Sequence, residues 1–373
     1  MVLQLVGAER GLAAAVLTVV VLWLLKPVAR RLDLLDYPKG RKDHAHPTPI
    51  TGGLAMAVGV FVTGLATPEG VGSTFYGFIA GSTLLIVVGL LDDKYDLRWY
   101  VRILAQVAAA LIMVFWAGVR VEQLGLAFGL PDVSLGWLSV PFTVFATVGL
   151  INAINMVDGA DGLAGLLVAA ALTMLLAAAL YSGNSVLGQR LVLLLGAVLA
   201  FLLFNMRLPW QPRAKLFMGN AGSAFLGFVI AWSSFRLSQN PGHPVSPALV
   251  LWFVPVPVMD TLVLMFRRIR NGHSPFIADR NHIHHLMLEA GFGPTQAGLV
   301  LAGFSVLCGL LAGQALRADV PEPVLLVAFG VVCLGWFLLT RNRRRAICFF
   351  HALYSTRLLG WRARNIPRLP AEG

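Results

Sequence analysis

The chain has 373 residues, of which 57% are hydrophobic and 13% charged, with a mean hydropathy of +0.76. Soluble domains carry about 25% charged residues, so this composition excludes a soluble globular protein and describes a polytopic membrane protein. Its apolar runs are continuous and rich in Leu and Ala, without the alternation of a β-barrel, and its net charge of +11 fits basic membrane loops better than a nucleic-acid partner.

Crossing a bilayer takes roughly 17–25 apolar residues. The sequence predicts an all-α bundle of about eleven transmembrane helices, near 5–25, 51–67, 75–91, 100–118, 137–154, 162–181, 189–206, 221–236, 247–266, 295–315 and 322–340. The first is expected to be a retained helix with its amino end outside. The basic "KPVARR" follows its apolar run instead of preceding it, and no small-residue cleavage site appears. Of the 29 Lys and Arg, all but Arg10, Arg120, Arg190, Arg236 and Arg317 fall in loops after odd-numbered helices, counting those just inside the flanking helix ends, or in the carboxyl-terminal tail. That split makes those loops cytoplasmic. Residues 1–340 are expected to form one integral-membrane catalytic domain. Residues 341–373, which mix Arg with aromatics, read as a basic cytoplasmic tail on the anionic inner leaflet. No soluble domain and no internal repeat is visible. Cys308, Cys333 and Cys348 show neither a CxxC nor a Cys/His metal spacing.

The dense polar clusters all fall on the basic side. After the first helix, "DYPKGRKDHAHPTPITGG" is irregular through its Pro and Gly and basic through Arg41, Lys42 and His44. It is either an ordered loop lining a polar site or a positive-inside anchor. At the end of the third helix, Asp92, Asp93 and Asp96 are spaced so that one helical face can collect them. Three close carboxylates repel unless a cation or proton compensates; the plainer alternative is a solvated acidic loop partnered by Lys94 and Arg98. In "NAINMVDGADGLAG", Asn152, Asn155, Asp158 and Asp161 recur every three residues and would form one polar ridge on a continuous helix. Polar groups at a span end are costly and mark function, unless they join helices. Five carboxylates on two helix ends suit a hard cation. Mg²⁺ takes oxygen ligands, commonly one or two carboxylates plus substrate phosphates, so it implies a phosphorylated substrate. In "DRNHIHHLMLEAG", His282 and His285 are spaced to share a zinc on a helix. No HExxH pattern or cysteine accompanies them, and with Arg280 adjacent, binding of phosphate or sugar stays open, as does structural hydrogen bonding.

In order and spacing, "DYPKGRKDHAHPTPITGG", "GLLDDKYDL", "NAINMVDGADGL", "KLFMGNAGS" and "SPFIADRNHIHHLMLEAGF" resemble the motifs of the polyprenyl-phosphate N-acetylhexosamine-1-phosphate transferases, from about residue 33 to 294. The HIHH loop resembles the WecA/TagO branch, which uses UDP-N-acetylglucosamine, more than the MraY branch, which transfers phospho-N-acetylmuramoyl-pentapeptide. The resemblance implies transfer of N-acetylglucosamine-1-phosphate to undecaprenyl phosphate with release of UMP. It also implies a requirement for Mg²⁺ or Mn²⁺ and a cytoplasmic-face cleft in the bacterial inner membrane, often in a homodimer. The product would initiate O-antigen, lipopolysaccharide or related cell-wall polysaccharide synthesis. A secondary transporter or an inactive scaffold are the readings outside that class.

Residue by residue, the resemblance implies the following. Asp92 matches the acidic residue held to deprotonate or orient the lipid phosphate, and Asp93 is its metal- or substrate-positioning neighbour. Asn155, Asp158 and Asp161 match nucleotide and metal contacts, with Asn152 beside them. Arg280, His282, His284 and His285 match the sugar and pyrophosphate loop, and Lys42 and His44 the first basic loop. One position departs from the pattern. The family reads "FMGD", its aspartate a direct Mg²⁺ ligand, where this chain reads "FMGN" with Asn220. An amide oxygen can ligate Mg²⁺ but brings no negative charge, so the chain is expected to carry out the family reaction while needing more metal.

Overall fold

The structure is a computed structural model that describes residues 7–37, 46–67, 72–126, 133–242, 245–274 and 281–355. In chain order the elements are α1 (Ala8–Arg31), β1 (Leu35–Asp36), β2 (Thr48–Pro49), α2 (Gly52–Leu65), α3 (Ser73–Tyr95), α4 (Trp99–Phe115), α5 (Ser139–Val157), α6 (Leu163–Tyr181) and α7 (Ser185–Asn205). There follow α8 (Gly219–Ser238), α9 (Pro247–Leu251), α10 (Pro255–Arg270), α11 (Ile283–Glu289), α12 (Pro294–Arg317), α13 (Glu322–Arg341) and α14 (Arg343–Ser355).

The all-α membrane fold expected from composition is the observed one. Among the described residues, seven helices are long and apolar enough to cross a membrane (α1, α3, α5 with the turn before it, α6, α7, α12 and α13), and α2 and α4 are shorter apolar helices. The expected ninth span is broken into α9 and α10 at Pro255, which lacks a backbone donor and disfavours helix in the residue before it. The expected eighth span, α8, falls outside the long apolar set. It is the central helix, packed by α2, α3, α5, α6, α7 and α9, and all but two of residues 221–237 are buried. A helix sheathed in protein has no need to match lipid, so it tolerates Asn220, Ser223, Ser233 and Ser234.

Two features aim one end of α8 at the neighbouring helix ends. At Gly89 on α3, an added Cβ would overlap the backbone of Ala221, so the helices touch main chain to main chain one turn before the Asp pair. At the opposite half of the bundle, Phe78 packs against Trp232 (4.9 Å between ring centres) and Phe228 (6.0 Å), with Phe61 edge-on to Phe78 and Phe225 (6.2 Å each). Such offset and edge contacts are favourable and lock that half. Gly89→Val is expected to cost about 1–3 kcal/mol by overpacking, seen as a melting temperature lowered by a few degrees in detergent. Gly330→Val on α13, where nothing lies within 4 Å of an added Cβ, should leave it unchanged.

The short ribbon has a job as well. β1 and β2 pair antiparallel, Leu35 with Pro49 and Asp36 with Thr48. The Phe217 carbonyl then accepts the Gly52 N–H (3.0 Å), and the Phe217 N–H donates to the Pro49 carbonyl (2.8 Å). The end of β2 is thereby tied to the entry of α8.

Candidate active site

Asp92 and Asp93, adjacent in sequence, serve different surroundings. Asp92 is 3% exposed. It accepts the Leu97 N–H (2.9 Å) and pairs with Arg102 (3.3 Å), fastening the end of α3 to α4. Asp93 faces α8, accepting the N–H of Asn220 (2.8 Å) and of Ala221 (3.4 Å). Free N–H groups and the helix dipole make a helix start a favourable seat for a carboxylate. Gly219 makes room for it: its φ is +72°, and a Cβ there would strike both Ile50 and Asp93. Asp96 does not join the pair on one face as expected. α3 ends at Tyr95, and Asp96 turns left-handed (φ 51°) into an exposed cap.

The expected ridge from Asn152 to Asp161 is also interrupted, because α5 stops at Val157 and α6 starts only at Leu163 after a left-handed Gly162. Its four members do four things. Asn152 donates to Gln106 on α4 (2.7 Å) and to the Val148 carbonyl, which is helix-joining. Asn155 donates to Ser223 (2.8 Å) and to the Asn220 side-chain oxygen (3.2 Å), reaching the start of α8. Asp161 pairs with Arg207 (2.6 Å) beyond α7. The Asp158 side chain has no hydrogen bond or ion pair to any described residue, and although the residue keeps some accessible surface, its carboxyl is raised to about 7. Burial is the main cause, with the charges of Asp93 and Asp161 adding to it.

Asp93, Asn155, Asp158 and Asn220 thus come together at the ends of α3 and α5 and the start of α8. Two carboxylates and amide oxygens, one carboxylate unpartnered and destabilised by its neighbours, form the donor chemistry of a hard cation completed by phosphate and water. The residues fit Mg²⁺ or Mn²⁺ in that limited sense. Among the described residues no group of three or more His, Cys, Asp or Glu side chains is arranged to hold a metal ion. Of the expected ligands Asp93, Asp158, Asp161 and Asn220, Asp161 is turned to Arg207 instead.

The histidine segment forms the short helix α11 and closes on the same place. The His284 ring lies against Gly159, where a Cβ would overlap it, so the 158–161 turn and the histidine segment touch. His284 is 1% exposed, both ring nitrogens lack a partner among the described residues, and burial, then His285 and His282, hold it well below the ordinary histidine range. It is therefore neutral. The rings of His284 and His285 are 4.2 Å apart and those of His282 and His285 6.4 Å, and the three do not make a metal-holding group. His282 bonds Asp260 (2.8 Å). Lys42, His44 and Arg280 lie outside the described residues.

Sequence reasoning passed over Asp260, Arg102 and Arg207. Asp260 had a usable signal, as the sole carboxylate of the apolar run 247–266. The arginines had none beyond their basic loops, since their partners are set by how the helices pack.

The model of glycosyl transferase family 4 matches residues 75–238. The undecaprenyl-phosphate alpha-N-acetylglucosaminyl 1-phosphate transferase of Escherichia coli (strain K12) is 34% identical over 326 residues, 86% of this chain and 86% of its own. The protein of the same name from Yersinia pestis is 35% identical over 310 residues, 83% and 84% of the two chains. That from Haemophilus influenzae is 33% identical over 297 residues, 80% and 82%.

Proposed function

This chain belongs to glycosyl transferase family 4 and is a glycosyl-1-phosphate transferase, and from that premise we propose that it transfers N-acetylglucosamine-1-phosphate from UDP-N-acetylglucosamine to undecaprenyl phosphate. An oxygen of the lipid phosphate attacks the sugar-bearing phosphorus of the donor. The bond from that phosphorus to the bridging oxygen breaks, and UMP leaves with that oxygen and the electron pair. The products are undecaprenyl-pyrophosphoryl-N-acetylglucosamine and UMP. The single observation carrying the reading is the meeting of three sequence-distant clusters, Asp93 with Asn220, the 155–161 turn, and His284 against Gly159.

The residues divide the work on physical grounds. A phosphate monoester has a second pKa near 6, so the acceptor is already largely dianionic at neutral pH. The protein's task is to bring anions together more than to remove a proton, as in phosphoryl transfer generally. Asp93, Asp158 and Asn220 would hold Mg²⁺ or Mn²⁺, which supplies charge neutralisation at the donor's phosphates. Asn155 orients the Asn220 amide. Asp92, paired with Arg102, keeps the end of α3 in place and so aims Asp93. Asp161 with Arg207 fixes the turn that presents Asp158. The neutral His284 and its neighbours His282 and His285 border the same space and are assigned to the sugar and pyrophosphate, together with Arg280. Lys42 and His44, between β1 and β2 in the chain, are assigned to the phosphates. The basic loops support a position for this end of the bundle at the cytoplasmic face of a bacterial inner membrane. The acceptor's long tail requires the site to lie at a span end, open to the inner leaflet.

The test is UMP release by purified protein with undecaprenyl phosphate and Mg²⁺, offering UDP-N-acetylglucosamine and UDP-N-acetylmuramoyl-pentapeptide side by side. Release is expected with the first alone. Release with the second alone would transfer the chain to the pentapeptide-using class, and release with neither would overturn the reaction.

A further inference from the structure

Asp260 is 1% exposed in the middle of an otherwise apolar stretch of α10. Its carboxyl receives three groups. The His282 Nδ1 lies 2.8 Å from Oδ2, and Oδ1 lies 3.2 Å from the Ile283 N–H and 3.3 Å from the indole N–H of Trp336. The last two can only donate, which fixes Oδ1 as an acceptor and orients the carboxyl plane. Acceptance at Oδ2 then requires the proton of His282 on Nδ1. All three partners are themselves buried, at 6%, 2% and 8% exposure, and they join α10, the start of α11 and α13. Helix joining alone would be served by apolar packing. A buried carboxylate is costly unless its hydrogen bonds are complete, and here one of the three is made with a histidine of the site.

We propose that Asp260 is a positioning residue: it holds His282 in one ring plane with its proton on Nδ1, leaving Nε2 as the nitrogen that meets the hydrogen-bond donors of the sugar-nucleotide. The role in turnover rests on the reaction proposed above; the placement of the proton does not. A carboxylate that orients a histidine in this way sets which nitrogen is available, and loss of such a partner typically costs 10- to 100-fold.

Asp260→Asn keeps the shape and reverses one polarity. With its oxygen kept toward Ile283 and Trp336, its amide would donate to Nδ1 and drive the proton to Nε2. The experiment compares wild type, Asp260→Asn, His282→Gln and the double variant, each labelled with ¹⁵N-histidine, the His282 signal being assigned by its loss in His282→Gln. The wild-type signal is expected to show the Nδ1–H form and Asp260→Asn the Nε2–H form. The turnover number should fall about 10- to 100-fold with KM changed by less than about threefold, and the double variant should be no worse than His282→Gln. An Nε2–H signal in wild type overturns the proposal even where Asp260→Asn fails to fold, and so do losses that multiply in the double variant. Wild-type protein that releases no UMP would overturn the reaction instead, and the ¹⁵N spectrum would still decide the placement by Asp260.

Discussion

Asp158→Asn is expected to abolish most transfer and yet make the metal-free protein more resistant to heat at pH 8. The two outcomes share one cause. In the folded protein the Asp158 carboxyl is raised from 3.8 to about 7 by burial and by the charges of Asp93 and Asp161. A folded value above the unfolded one means that the folded state binds the proton more tightly. The contribution is stabilising below about pH 4 and is lost as pH rises through about 7. At pH 8 the fold therefore holds an ionised carboxylate that has no hydrogen-bonding partner among the described residues, and the isosteric amide removes that strain. At about pH 3.5, where the carboxyl is protonated in the folded and the unfolded chain alike, the two proteins should melt alike. For catalysis the sign reverses, since the charge the fold resists is the one that would hold the cation, whose role is to neutralise the negative charge of the phosphates. Loss of one preorganised electrostatic group costs about 100- to 1,000-fold. The check is melting in a chelator at both pH values, beside UMP release at pH 8. A variant that is inactive and no more stable at pH 8 would show that Asp158 is not under the electrostatic load assigned to it. One that keeps wild-type turnover would remove it from the site.

The same residue shows what could be read in advance. Apolar runs and the partition of Lys and Arg announced an all-α membrane bundle because both follow from the cost of burying charge in lipid, which each residue carries independently. The polar clusters were legible for the same reason, since carboxylates at span ends need a purpose. What each carboxylate touches was not legible. Asp92 and Asp93 look equivalent in sequence, yet one turns to Arg102 and the other to the start of α8, and the difference depends on main-chain contact between Gly89 and Ala221. The three-residue period from Asn152 to Asp161 suggested a single ridge, but period is a helical property and the helix stops at Val157. Asp260 needed a partner from a loop 22 residues further on to become meaningful.

Asn220→Asp is expected to lower the Mg²⁺ concentration for half-maximal transfer about tenfold, while rates at saturating Mg²⁺ stay within about threefold of wild type. Residue 220 stands in the first turn of α8; its N–H is given to Asp93 and its side-chain oxygen accepts from Asn155 at 3.2 Å. A carboxylate at this position keeps that acceptor and adds a full negative charge beside Asp93 and Asp158. Unit charges at 4 Å interact by about 1 kcal/mol in water and about 4 kcal/mol at an effective dielectric of 20. Against a divalent cation the gain lies at or above that range, and desolvating a third carboxylate offsets part of it. A net of about 1.4 kcal/mol is tenfold in affinity. The same added charge must act in the opposite direction when no cation is present, because three carboxylates then repel. The variant should melt lower than wild type in a chelator at pH 8 and gain more on addition of Mg²⁺. Metal titrations of UMP release that superimpose for the two proteins would place residue 220 outside the cation's reach. A variant with no greater melting gain from Mg²⁺ would carry the same conclusion by a route independent of turnover.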